Sequence, residues 1–307
     1  MVNTLKIATR KSPLALWQAE HVKKRLQETH ADLTVELVSM TTEGDRFLDA
    51  PLVAVGGKGL FIKELETALL EGRADIAVHS MKDVTIDLPE ELALPVIMER
   101  EDTRDVFISN SYEKIENLPA DAILGTSSLR RQSQVKALYP DIELKDLRGN
   151  VGTRLGKLDN GEYDGILLAA AGILRLGMPE RVTQFLPHSL LLPAIGQGAI
   201  GIECRAGDDV VEKLIAPLNH EATSLCVETE RAFSRRLFGG CQLPIAGQAT
   251  IEGNEVTLNG LIARVDGSEV IQAEQKGSID ELDNIGITLA ETLLQRGGDK
   301  ILEELLH

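Results

Sequence analysis

Short apolar strands alternate with amphipathic helices over the first two thirds of this chain, and that alternation constrains the fold more than any other feature. Residues 5–8 and 33–38 read as strands, and Ser12-Pro13 opens a helix between them. A hydroxyl at the cap accepts an orphan N–H of the first turn, where proline's missing N–H costs nothing. Ala15, Ala19, Val22 and Leu26 recur at helical spacing and form the buried stripe. Phe61, Leu65, Ala68 and Leu69 mark another helix, and residues 75–79 another strand. From about residue 104 the pattern restarts, with strands at 106–109, 123–125, 142–144 and 165–169 and helices beginning at Ser128 and after Asn150. Such alternation predicts parallel sheets covered by helices, because parallel neighbours need a crossover between them.

Towards the C-terminus the period changes. Residues 245–251, 255–263 and 269–275 alternate apolar and polar positions around turn signals at Gly253-Asn254 and Asp266-Gly267. A helix carrying Leu282, Ile285, Leu289 and Leu293 follows, so this part is expected to be an antiparallel three-stranded meander with a helix on one face. Residues 41–58 fit neither period and contain Gly44, Gly56 and Gly57. We expect a lid there, whose Gly56-Gly57-Lys58-Gly59 end runs into a helix start and offers backbone N–H groups and Lys58 to an anion.

At 307 residues the chain suits two or three domains, and with only 3% aromatic residues its cores must be built from Leu, Ile, Val and Ala. A net charge of −16 argues against nonspecific nucleic-acid binding and against an anionic membrane surface. No apolar run reaches membrane-spanning length, and the first residues lack a signal-peptide pattern, so a cytoplasmic protein is expected. Three cysteines without a Cys-x-x-Cys pair give neither a disulfide framework nor a zinc site, and no metal is expected.

Cys226 falls on the apolar stripe of a helix and Cys204 alternates with Ile200 and Ile202, so both read as small hydrophobes. Cys241 is different. It sits in Phe238-Gly-Gly-Cys-Gln-Leu-Pro-Ile-Ala246, where two glycines let the backbone bend and leave the thiol open to a large partner. Attack, metal binding and anchoring are all open to such a thiol. None of the six histidines stands in a motif that would activate it as a hydrolytic nucleophile.

Between residues 126 and 157 seven cations face three acids, a net +4 within an acidic chain. Thr126-Ser127-Ser128-Leu129-Arg130-Arg131 follows a strand and starts a helix, and Leu147-Arg148-Gly-Asn-Val-Gly-Thr-Arg154 repeats the arrangement after the next strand. Arg175 extends the series after the strand ending at Ala169. In open α/β sheets ligands bind beyond the carboxyl ends of strands, where helix N-termini, hydroxyls and the planar arginine fork suit carboxylates. Sparse aromatics argue against base stacking, and neither a P-loop nor a Gly-x-Gly-x-x-Gly turn is present, so a small polycarboxylate fits better than a nucleotide. His79-Ser-Met-Lys-Asp83 closes a further strand on a polar elbow expected to face the same cleft. Asp83 there suits stabilising a developing cation or moving a proton, and on this segment alone equally a helix cap or a turn aspartate, whereas His79 reads as packing.

Seven segments in order, namely Ala8-Thr-Arg-Lys-Ser-Pro-Leu-Ala15, Val55-Gly-Gly-Lys-Gly-Leu-Phe61, the Lys82-Asp83 elbow, Gly125-Thr-Ser-Ser-Leu-Arg-Arg131, the stretch ending at Arg154, Pro193-Ala-Ile-Gly-Gln-Gly198 and Gly239-Gly-Cys-Gln-Leu-Pro244, closely resemble the porphobilinogen deaminase family. The resemblance spans essentially the whole chain. It implies two α/β lobes like those of periplasmic binding proteins, with two hinge crossings near 99–103 and 193–198, plus a C-terminal α+β domain. The implied domains are 1–98 with 199–216, then 104–192, then 221–307. It also implies a transferase that adds four porphobilinogen units head to tail on a dipyrromethane primer, releases ammonia, and frees hydroxymethylbilane by hydrolysis. By that resemblance Cys241 carries the dipyrromethane through a thioether and Asp83 is the catalytic carboxylate. Lys82, Asp83, Thr126, Ser127, Ser128, Arg130, Arg131, Arg148 and Arg154 would hold the cofactor, and Arg10, Ser12, Lys58, Arg148, Arg154, Arg175 and Gln197 the substrate. The family precedent is a monomer. Relatives often carry lysine where this chain has Ala54, which puts more of any anion contact on Lys58. The competing reading, a two-lobed binding module for a small polycarboxylate, leaves Cys241 without a role.

Overall fold

The computed structural model describes residues 4–46, 59, 61–237 and 243–306. It divides into two units, residues 1–101 with 199–224 and residues 102–198 with 225–307, so the chain passes between them three times. In chain order the first stretch forms β1 (Thr4–Arg10), α1 (Pro13–Thr29), β2 (Thr34–Met40), α2 (Glu43–Arg46), α3 (Lys63–Leu70), β3 (Ile76–Ser80) and β4 (Leu92–Ile97). The second forms β5 (Asp105–Ile108), β6 (Ile123–Gly125), α4 (Leu129–Leu138), β7 (Glu143–Lys145), α5 (Val151–Asp159), β8 (Gly165–Ala169), α6 (Ala170–Arg175) and β9 (Gln184–Leu186). The chain then adds β10 (Ile200–Arg205) and α7 (Asp209–Ile215) to the first unit. Helix α8 (Glu221–Arg236) follows, and β11 (Ile245–Glu252), β12 (Glu255–Ala263), β13 (Val270–Ser278), α9 (Leu282–Leu293) and α10 (Asp299–Leu306) complete the chain.

The first unit is one sheet of order β2-β1-β3-β10-β4 with helices on both faces. The two-residue period sorts its side chains. Leu5 and Ile7 pack with Ala19, Val22 and Leu26 of α1 on one face, while Ala8 and Ala77 pack with Leu65, Ala68 and Leu69 of α3 on the other. Ser12 caps α1, its Oγ accepting the N–H of Ala15 at 3.4 Å, and Pro13 occupies the first turn. Each large side chain buried in these layers contributes about 1.5–3 kcal/mol.

The second unit contains a sheet of order β7-β6-β8-β5-β9 and the three-stranded sheet β11-β12-β13. Val106, Ile108 and Leu168 face α5 and α6 in one layer, and Phe107, Leu124 and Leu167 meet Val135 of α4 in the other. The meander is antiparallel as its turn signals require, with Gly253 and Gly267 at positive φ. Its Val256, Leu258 and Ile262 pack with Phe233 of α8 and with Ile285, Leu289 and Leu293 of α9.

Both five-stranded sheets are mixed rather than wholly parallel. β10 runs antiparallel to β3 and β4, and β5 antiparallel to β8 and β9. These are the strands that follow a passage of the chain from one unit to the other, so no local strand–helix–strand crossover dictates their direction. The expected lid begins with the short helix α2, in which Gly44 lies so close to the Phe61 ring that a Cβ would collide with it. Most of that lid, with Ala54 and Lys58, lies outside the described residues, as does Cys241.

Candidate functional site

In the first unit β2, β1 and β3 are parallel neighbours, so their carboxyl ends share one edge. Arg10 is the last residue of β1. Its Nε donates to Asp45 Oδ2 at 3.2 Å, and its guanidinium lies 4.2 Å from the centre of the Phe61 ring. Burial pushes the Asp45 carboxyl up, but the hydrogen bond and charge of Arg10, with Thr42, bring it below the usual value. β3 ends at Ser80, whose Oγ accepts from Gln18 of α1 at 2.8 Å. A single 3-10 turn, Met81–Asp83, then delivers Lys82 and Asp83 half-buried. That turn is held from below. Met81 N–H donates to Ala199 O at 3.0 Å, and the buried Met81 side chain packs against Gly201, where a Cβ would run into its sulfur. His79 is buried but not purely packing, since Nε2 lies 2.9 Å from Glu203 Oε2.

In the second unit β7, β6 and β8 are likewise parallel neighbours. After β6, Thr126 N–H donates to Lys145 O at 3.0 Å, and Ser127 Oγ both accepts from Leu147 N–H at 3.0 Å and donates to Leu147 O at 3.1 Å. These bonds lock the β6 and β7 ends together. Ser128 stands at the N-cap of α4 without using its hydroxyl as a cap, so the helix N-terminus keeps its electropositive character beside a hydroxyl. After β7, Arg148 and Arg154 are half-buried, Arg154 Nε donating to Gly149 O at 2.7 Å. Gly149 has φ +113°, a conformation that suits glycine, and Asn150 caps α5 by accepting from Thr153 N–H. After β8, Arg175 donates to Gly198 O at 2.7 Å.

Arg130 and Arg131 are buried, at 4% and 5% exposure, rather than open to solvent as a rim would be. The reason is Asp105, which sequence reading missed. Its Oδ2 accepts from Arg130 Nη1 and its Oδ1 from Arg131 Nη2, both at 2.7 Å, and Gln197 Nε2 donates to the same Oδ1 at 3.0 Å. Burial pushes the Asp105 carboxyl up, yet the two guanidinium groups outweigh it and hold the group far below the usual carboxylate range. A second missed group is Glu230 of α8, fully buried, whose Oε2 accepts from Gly196 N–H at 2.7 Å and Oε1 from Ala249 N–H at 2.9 Å. Neither acid belongs to a recognisable local motif. The only local signal for Asp105 is a carboxylate placed directly before an apolar strand.

Cys204 is fully buried, and burial together with Glu212 and Asp208 pushes its thiol up to about 11. Iodoacetamide applied to the folded protein at pH 8 should therefore leave Cys204 unmodified, because the thiolate is the nucleophile. A carbamidomethylated Cys204 in the peptide map of natively labelled protein would contradict this. Cys226 packs against the core of the three-stranded sheet, as its helical stripe implies.

Among the described residues no helix is long and apolar enough to cross a membrane. Among solved structures, the chain is similar to a putative methionine-binding lipoprotein from Bacillus subtilis (11% identity over 71% of this chain and 90% of that one, TM-score 0.44). It is also similar to a nutrient binding protein from Burkholderia cenocepacia bound to methionine (13% identity over 69% and 90%, TM-score 0.43). A third is the periplasmic aliphatic sulphonate binding protein from Escherichia coli (12% identity over 76% and 70%, TM-score 0.41). A family model described as porphobilinogen deaminase, dipyromethane cofactor binding domain, matches residues 5–213, and one described as porphobilinogen deaminase, C-terminal domain, matches residues 224–295. Together these matches cover most of the length in the expected order, and the chain belongs to the porphobilinogen deaminase family, transferases that make hydroxymethylbilane with a dipyrromethane cofactor.

Proposed function

We propose that Cys241 carries the dipyrromethane through a thioether, that Asp83 is the catalytic carboxylate, and that the cations at the strand ends hold acetate and propionate groups. The observation carrying this reading is the convergence of hydroxyls and guanidinium groups at the carboxyl ends of three adjacent parallel strands of the second unit. The donor set fits a group rich in carboxylates. Besides the α4 N-terminus and Ser128, Arg130 Nε and Arg131 Nε are buried donors with no hydrogen-bond partner among the described residues. When bound, the cofactor would supply the nucleophilic carbon to which the first porphobilinogen is joined.

The residues of the chain then have separable tasks. Asp83 stabilises the positive charge that develops on the substrate's pyrrole as ammonia departs, and the short turn that carries it is anchored through Met81 to Ala199 and Gly201. Arg148 and Arg154, with Thr126, Ser127, Ser128, Arg130, Arg131 and Lys82, bind carboxylates of the cofactor. Arg10, oriented by Asp45 and Phe61, takes substrate carboxylates together with Ser12, Lys58, Arg175 and Gln197. Ser12 and Gln197 already serve the fold through the α1 cap and Asp105, so their part is orientation more than charge. We read residues 1–98 with 199–216, 104–192 and 221–307 as three domains of a monomeric cytoplasmic enzyme. The separate core of the three-stranded sheet supports the third.

Intact mass under denaturing conditions tests the tether. The wild-type chain is expected to carry a surplus equal to dipyrromethane that survives denaturation, and Cys241→Ala none. A surplus retained by Cys241→Ala, or a wild-type chain of bare sequence mass that gains nothing from porphobilinogen, would overturn the assignment.

A further inference from the structure

The buried arginine pair is short of negative charge. Among the described residues Arg130 and Arg131 face one carboxylate, Asp105, and their other hydrogen-bond partners are neutral: Arg130 Nη1 donates to Leu192 O at 2.7 Å and Arg131 Nη1 to Leu167 O at 2.9 Å. Gln197 and Gln134 complete the surroundings, bonding Asp105 and Leu192 O. Two guanidinium groups and one carboxylate leave one positive charge uncompensated in a site where all three side chains are at most 6% exposed. Burying a charge without a counterion is strongly unfavourable, and both Nε donors are also unpartnered among the described residues. A buried 2:1 cluster can serve structure alone, but the two unpartnered Nε donors leave room for a further anion.

We propose that Asp105 is a positioning residue acting through the arginine pair: it gathers Arg130 and Arg131 around one shared carboxylate and leaves the pair one negative charge short, so that a carboxylate of the dipyrromethane completes the balance. This rests on the cofactor-binding role proposed for the two arginines. Asp105 is the anion already in place, and the cofactor carboxylate is the second. The two anions are therefore energetically coupled, because each relieves the same pair of cations.

The coupling is measured by a cycle of Asp105→Asn against cofactor loading. Wild type and variant are prepared cofactor-free, then loaded by incubation with porphobilinogen, with loading read as intact mass. Asparagine removes the resident anion, leaving the free form with two unbalanced cations and the loaded form with the ligand's carboxylate. The denaturation midpoint of the variant should fall by at least ~4 °C more in the free form than in the loaded form. Equal falls in both forms would make Asp105 an ordinary buried counterion and overturn the inference. If cofactor-free Asp105→Asn does not fold, the double variant Asp105→Asn/Arg131→Gln removes one charge of each sign and carries the test. Recovery of folded protein then supports the charge balance, and continued failure assigns Asp105 to packing and overturns it. A wild-type chain that gains no mass from porphobilinogen would instead sink the cofactor reading itself, so the two failures are distinguishable.

Discussion

Asp83→Asn is expected to leave the protein folded and lower turnover by roughly 10²–10³-fold, since charge stabilisation in the transition state is of that order. The asparagine keeps the shape of the side chain. The 3-10 turn does not depend on the carboxylate, because it is set by the Met81 N–H bond to Ala199 O and the packing of Met81 against Gly201. Asp83 is only half-buried, so the neutral amide costs little in stability. What the proposed role loses is the negative charge that stabilises the pyrrole cation as ammonia leaves. The check is steady-state turnover of porphobilinogen beside a thermal unfolding curve. Turnover within about tenfold of wild type would remove Asp83 from the chemistry, and a collapsed unfolding midpoint would show that the carboxylate holds the turn.

Glu230→Ala should produce the largest loss of stability of any single change considered, roughly 3–5 kcal/mol, the scale seen when one partner of a buried charged contact is deleted. Glu230 accepts from two backbone N–H groups that belong to different segments, Gly196 ahead of Gln197 and Ala249 in β11. Truncation orphans both donors inside the protein and leaves a cavity where a fully buried side chain stood. Urea unfolding monitored by circular dichroism measures the effect. A loss below about 1 kcal/mol would mean that water takes over both bonds. The functional consequence follows from position. α8 and β11 flank residues 238–242, which include Cys241, so loosening Glu230 should also slow acquisition of the cofactor mass.

Much of the fold was legible because its signals are local. Ser12-Pro13 starts α1 by satisfying the first turn, Ala19, Val22 and Leu26 recur at the helical period, and Gly253 and Gly267 break a two-residue alternation where the hairpins turn. The placement of the candidate site residues was legible for a related reason. Hydroxyls and arginines directly after apolar strands must emerge at strand ends, whatever the details of packing. Lys82 and Asp83 after β3, and Ser128 with Arg148 and Arg154 after β6 and β7, all do so.

The tertiary structure decided what buried charge does. Asp105 meets Arg130 and Arg131 across 25 and 26 residues and Gln197 across 92, Glu230 reaches Gly196 across 34, and His79 reaches Glu203 across 124. No periodicity reports such pairs, because a period tells which face of an element is apolar and not which distant charge will be folded against it. The same holds for the antiparallel runs of β5 and β10, whose direction depends on where the chain re-enters a sheet. By itself the sequence determined the elements, their order and which polar residues stand at the strand ends, since each is dictated by neighbours within a few turns. Only the folded chain decided that two of the arginines are buried on a shared aspartate, because desolvating a cation is tolerable only where long-range packing brings it a counterion.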